Sequence, residues 1–239
     1  MDHSLWDAFL KKYVNESGEM NFAAAARDRS LLDQYLQKAS QAGNLDTMDL
    51  PREEFLAFWL NLYHAVLVKT ILNHYPLKSI LDIPGVWEAE AFKMGDQKYS
   101  LNQIRSDKLL GAYRDEKINA VLACTAKSCP GFQREAYTGP KVEGQLYLQA
   151  RQFVNNPRFN EITPGKKQIL LSRIFKWYAT DFTLDYGQFE NDRGLRPEEF
   201  AVLSFVANSI EDPAKKDYLE QGNYKIKYLP FDWTLADAK

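Results

Sequence analysis

Apolar positions recur at helical spacing along much of this chain, and one long segment is apolar on every side. Residues 4–14 place Leu5, Trp6, Phe9 and Leu10 on one face, the pattern of a first amphipathic helix. Residues 29–39 do the same with Leu31, Leu32, Tyr35 and Leu36, and Asp28 stands at the N-cap position. QAGNLDTMD, residues 41–49, reads as a loop. A third helix is expected from Pro51, a residue favoured at the first helical position, to about His74, where Tyr75-Pro76 stops it. Its stretch Phe55–Leu72 is as long as a membrane span. Asn61, His64 and Lys69 are costly in lipid, so the segment is read as a central buried helix and not as a membrane span.

Beyond it the rhythm breaks. Residues 76–100 read as irregular, with a short strand at Gln97–Ser100, and Ser100 caps a helix to about Leu110. INAVLAC, Ile118–Cys124, is a nearly continuous apolar run and reads as a buried strand. The loop TAKSCPGF follows, with Pro130-Gly131 as its turn signal. Helices are expected at 141–155, 166–178 and 197–210, and a late strand at Lys225–Leu229. The expected fold is α+β: a helix-rich single domain over 1–239, with a long central buried helix and a small sheet.

Charge and composition then remove whole classes. Lys plus Arg number 30 and Asp plus Glu 32, a net charge of −2, which argues against bulk binding to nucleic acid or anionic membrane. Two Cys allow at most one bridge, so this is no disulfide scaffold. No secretory signal opens the sequence. The compartment is extracytoplasmic if Met1 replaces a removed signal peptide, and cytoplasmic otherwise. There is no Walker loop, GxGxxG, GxSxG, HExxH or calcium loop, and the Cys-x4-Cys spacing is wider than a zinc knuckle. No cofactor or metal is expected.

Thiol or imidazole chemistry therefore has five candidates: Cys124, Cys129, His3, His64 and His74. His3 lies at a terminus and His74 at a helix end. Asn61 and His64, three apart, are neighbours on one helix face, and Glu54 lies seven before Asn61 on that face. A buried polar stripe needs partners, either as a structural network or as a functional site. Cys129, between Ser128 and Pro130, sits on a loop where a nucleophile suits, with Lys127 as a local cation. The other readings are a small disulfide loop with Cys124 and an inert buried thiol.

Four blocks carry a resemblance: EEFLAFWLNLYHAVLVKTIL, INAVLACTAKSCPGF with EAY after it, LSRIFKWYATDF, and the terminal KYLPFDWTL. With the opening LWDAFLKKYV they resemble the domain of unknown function 547 family over essentially the whole chain. The resemblance implies bacterial exported relatives, no established activity, and room for a papain- or transglutaminase-like arrangement. Relatives usually carry Asn at the His64 position and His at the Asn119 position. They tend to carry Glu, often followed by His, at Arg105-Ser106. The first two departures exchange an imidazole and an amide, which implies that His64 and Asn119 face each other. The Arg105 departure points towards a lost activity. On a strand Asn119 and Cys124 would point to opposite faces, which favours Cys129 as the thiol of interest.

Two functions are expected in competition. One is a non-catalytic domain that binds a peptide, a glycan, a small molecule or another protein, with Glu54, Ser128 and Arg105 as binding residues. The other is a cysteine-dependent hydrolase or acyl transferase. There Cys129 is the nucleophile, His64 the base, Asn61 or Asn119 the orienting amide, and the backbone around Ser128–Gly131 the oxyanion hole. A metal-dependent hydrolase built on His64 and Glu54 ranks third.

Overall fold

A computed structural model describes residues 1–42, 49–186 and 194–238, apart from the side chain of Asp185. In chain order the helices and strands are α1 (Ser4–Tyr13), α2 (Phe22–Arg27), α3 (Ser30–Ser40), α4 (Arg52–His74), β1 (Glu90–Met94), β2 (Gln97–Ser100), α5 (Leu101–Gln103), α6 (Gly111–Tyr113), α7 (Lys117–Val121), α8 (Val142–Asn155), β3 (Gln168–Leu171), α9 (Arg173–Trp177), α10 (Thr183–Tyr186), α11 (Pro197–Ser209), α12 (Pro213–Gln221) and β4 (Lys225–Tyr228). The helix-rich α+β expectation holds. Of the predicted loop 41–49, residues 43–48 lie outside the described residues.

The chain forms two compact units interleaved in sequence. The first comprises Met1–Tyr113, Leu122–Gln145 and Trp233–Lys239. Its axis is α4, in which every residue from Leu56 to Val68 is buried. That helix is long and apolar enough to cross a membrane, yet most of its apolar stretch is buried inside the fold. It therefore matches the expected core helix. Trp6 stacks on Phe9 and Tyr35, which packs α1 against α3. The hairpin β1–β2 is antiparallel. Ser100 caps the following helix through a capping box with Gln103. The helix then widens into a π-helical stretch, Ile104–Leu110, which periodicity did not foretell.

The terminal segment is a seam in this unit. Thr234 bridges Ser79, Leu235 bridges Ala126, and Asp237 bridges Met20. Asp237 also accepts hydrogen bonds from the Phe22 N–H and the Tyr75 hydroxyl. Short segments far apart in sequence thus satisfy their backbone groups on one another. Gly18, at φ +76°, lets this scaffold close on Gly131, because a Cβ on Gly131 would lie 3.0 Å from Gly18 Cα.

The second unit comprises Arg114–Val121 and Leu146–Asp232. Phe153, Phe175, Phe182 and Phe205 form a chain of ring contacts at its centre, with centroids 4.9–6.0 Å apart. β3 and β4 pair in parallel, with Gln168 opposite Lys225 and Leu171 opposite Tyr228.

Two expectations are corrected here. Ile118–Val121 belongs to the helix α7, not to a strand, and the Asp115 carboxylate caps its start by accepting from the Lys117 N–H. A short run buried on every side looks alike in either state, because no exposed face marks its period. The predicted helix 166–178 divides into β3 and the short α9. Gln168–Leu171 alternates in burial, and the Ser172 hydroxyl accepts from the Ile174 N–H to start α9.

Candidate functional site

The polar stripe on α4 meets the segment Phe132–Gly139 and, through His64, the Ala123 N–H. Asn61 binds Tyr137 on both sides of its peptide unit. The amide Nδ2 donates to the Tyr137 carbonyl at 2.8 Å, and Oδ1 accepts from the Tyr137 N–H at 3.0 Å. Gln145, on α8, brackets the neighbours. Its Nε2 donates to the Ala136 carbonyl at 3.0 Å, and its Oε1 accepts from the Thr138 N–H at 3.1 Å. Asp7 accepts from the Ala136 N–H at 3.0 Å. Two side-chain amides therefore take the part that neighbouring strands play in a sheet, and they bond the backbone of the buried Ala136 and Tyr137 and the half-buried Thr138.

His64 extends the same contact. Its ring lies nearly parallel to Tyr137, with centroids 6.1 Å apart, and edge-on to Phe132 at 5.7 Å. Burial holds the Tyr137 hydroxyl well above its ordinary pKa, so it stays neutral. His64 Nε2 accepts the Ala123 N–H at 3.1 Å. That bond places the neutral ring's proton on Nδ1. It also occupies the lone pair that a general base would use. Glu54, in the first turn of α4, pairs with the chain's terminal ammonium at 2.7 Å and packs against Gly139.

The two thiols meet each other. Cys124 and Cys129 are joined by a disulfide, and Cys129 is buried. The bridge closes a loop in which Thr125 stands at φ +62°. The terminal seam pins this loop through Ala236 N–H to the Thr125 carbonyl at 2.7 Å and Lys127 N–H to the Thr234 carbonyl at 2.9 Å. A nucleophilic Cys129 thus belongs to a reduced form of the chain only. Ser128 is half-buried on the same loop, and Arg105 is half-buried in the π-helical stretch.

Asn119 lies in the second unit, buried on α7, where its amide donates to the Asp181 carboxylate at 2.9 Å. Because α7 is a helix, the strand alternation that set Cys124 apart from Asn119 has no basis. His74 is exposed at the end of α4, its Nδ1 2.9 Å from the Thr70 carbonyl. Among the described residues no group of three or more His, Cys, Asp or Glu could hold a metal ion.

Sequence reasoning missed Gln145, Asp181 and Asp237. Gln145 had a signal, a polar residue on the buried face of an amphipathic helix, between Val142 and Leu146. Asp237 had none, because its partners Phe22 and Tyr75 are remote in sequence.

Residues 47–154 match the family model described as Protein of unknown function, DUF547. That segment holds α4, the clamped segment and the disulfide loop, and over it the chain is similar to the DUF547 family. No curated protein and no solved structure matches the chain.

Proposed function

We propose that this chain is a non-catalytic binding domain that recognises a protein or peptide partner, in which the Asn61–His64 stripe serves as scaffold. One observation carries the reading. Each group a thiol mechanism would need from the first unit is engaged elsewhere: Cys129 with Cys124, His64 Nε2 with the Ala123 N–H, and the Asn61 amide with Tyr137. A base whose lone pair accepts a buried backbone N–H gives up that bond on taking a proton, at a cost of about 1–3 kcal/mol. Exposed apolar side chains in the second unit, Trp177 at 44 % and Leu184 at 50 %, offer contact surface.

Alkylation tests this reading against the thiol enzyme. The native chain, treated with iodoacetamide at neutral pH, is expected to remain unmodified and to gain two daltons on reduction. After mild reduction Cys129 is expected to react no faster than a free thiol, and equally fast in His64→Ala. Fast alkylation of Cys129 that slows in His64→Ala would overturn the reading in favour of a Cys129–His64 hydrolase or acyl transferase.

A further inference from the structure

We infer that the outer edge of β4 is a docking strand for an extended acidic segment of a partner protein. The inference rests on the binding reading above and names its partner class. Among the described residues β4 pairs with β3 alone. Lys225 N–H donates to the Lys167 carbonyl at 3.0 Å, and Leu229 N–H to the Leu171 carbonyl at 2.9 Å. The groups of residues 225, 227 and 229 therefore face β3. By alternation the N–H and carbonyl groups of Ile226 and Tyr228 face outward, the pattern onto which an added strand bonds.

Charge selects the occupant. Lys225 and Lys227 are exposed on one face of the strand, and Lys166 and Lys167, also exposed, lie at the entry to β3, next in sequence to Gln168, the register partner of Lys225. Among the described residues none of these four has an ion-pair partner. Lys176 adds a fifth cation, 5.8 Å from the Tyr228 ring. Glu199, the acid near Tyr228, is itself paired with Arg196 at 2.8 Å. Edge lysines repel a second copy of the same strand, which protects the fold from pairing with itself. The same lysines favour a chain of opposite charge. Main-chain bonds would supply register, and alternate acidic side chains would meet the lysine face.

The test uses fluorescence anisotropy on the intact chain with a fluorescein-labelled peptide of alternating Glu and Val. Saturable binding is expected. It should weaken about tenfold or more for the same peptide N-methylated along one edge, and likewise for the exposed double variant K225E/K227E. Equal binding of the N-methylated peptide would overturn strand addition and leave only charge attraction. Unchanged binding to the double variant would place the peptide elsewhere and overturn the β4 edge while sparing the binding reading. Absence of binding would overturn the acidic-peptide assignment. Only the His64-dependent alkylation described above would overturn the binding reading itself.

Discussion

Asn61→Ala is expected to cost about 2–6 kcal/mol of unfolding free energy, the largest loss from any single polar residue of the stripe. The substitution removes both Asn61 bonds from the buried Tyr137 N–H and carbonyl, and each such loss costs about 1–3 kcal/mol. Asn61→Asp discriminates between roles. It retains an acceptor for the Tyr137 N–H but sets a carboxylate against the Tyr137 carbonyl, so it should destabilise as much as Ala. Gln145→Ala breaks the adjacent pair of bonds to Ala136 and Thr138. Because both amides hold one segment, the double variant should lose less than the sum of the singles. Urea unfolding with unchanged slope checks all three. A wild-type midpoint for Asn61→Ala would contradict the clamp.

Acid should destabilise the first unit through His3. This imidazole is buried, its Nδ1 lies 3.0 Å from the Tyr35 hydroxyl, and among the described residues its Nε2 has no partner. Burial, reinforced by the nearby terminal ammonium, lowers its pKa from 6.5 to about 4, with Glu54 and Asp2 opposing. The unfolded chain thus takes up a proton near pH 6.5 that the folded chain refuses until about pH 4. The stability is present in full above pH 6.5 and is lost as pH falls towards 4. The total loss is about 3 kcal/mol. Unfolding curves at pH 7, 5.5 and 4 should show the loss, and His3→Leu should abolish this share of it. An equal acid loss in His3→Leu would assign the effect to other groups.

Those two residues also show what the chain made legible. Periodicity located α1, α3, α4 and α11 within a residue or two, because each has an apolar face wide enough to read. It also singled out Asn61 and His64, because a polar group on a helix apolar all round has to find a partner. What they bind was not legible. The partners are backbone groups of Ala123 and Tyr137, and a backbone partner leaves no mark on residue type. His3 was set aside as a terminal residue, yet Trp6, Tyr35 and Phe58 draw the start of α1 into the core. α7 was misread because a run buried on all sides has no exposed face to reveal its period. α2, whose cap is the Asn21 side chain, was missed because six residues are too few to establish one.

The scaffold role of the stripe is tested most directly at the His64 ring. With uniform nitrogen-15 labelling, a scalar coupling across the hydrogen bond from the Ala123 N–H to His64 Nε2 should be measurable at pH 7, with the ring proton on Nδ1. That result means the imidazole is committed to the fold. A proton on Nε2, or no coupling to the Ala123 amide, would contradict the account and return His64 to the list of available bases.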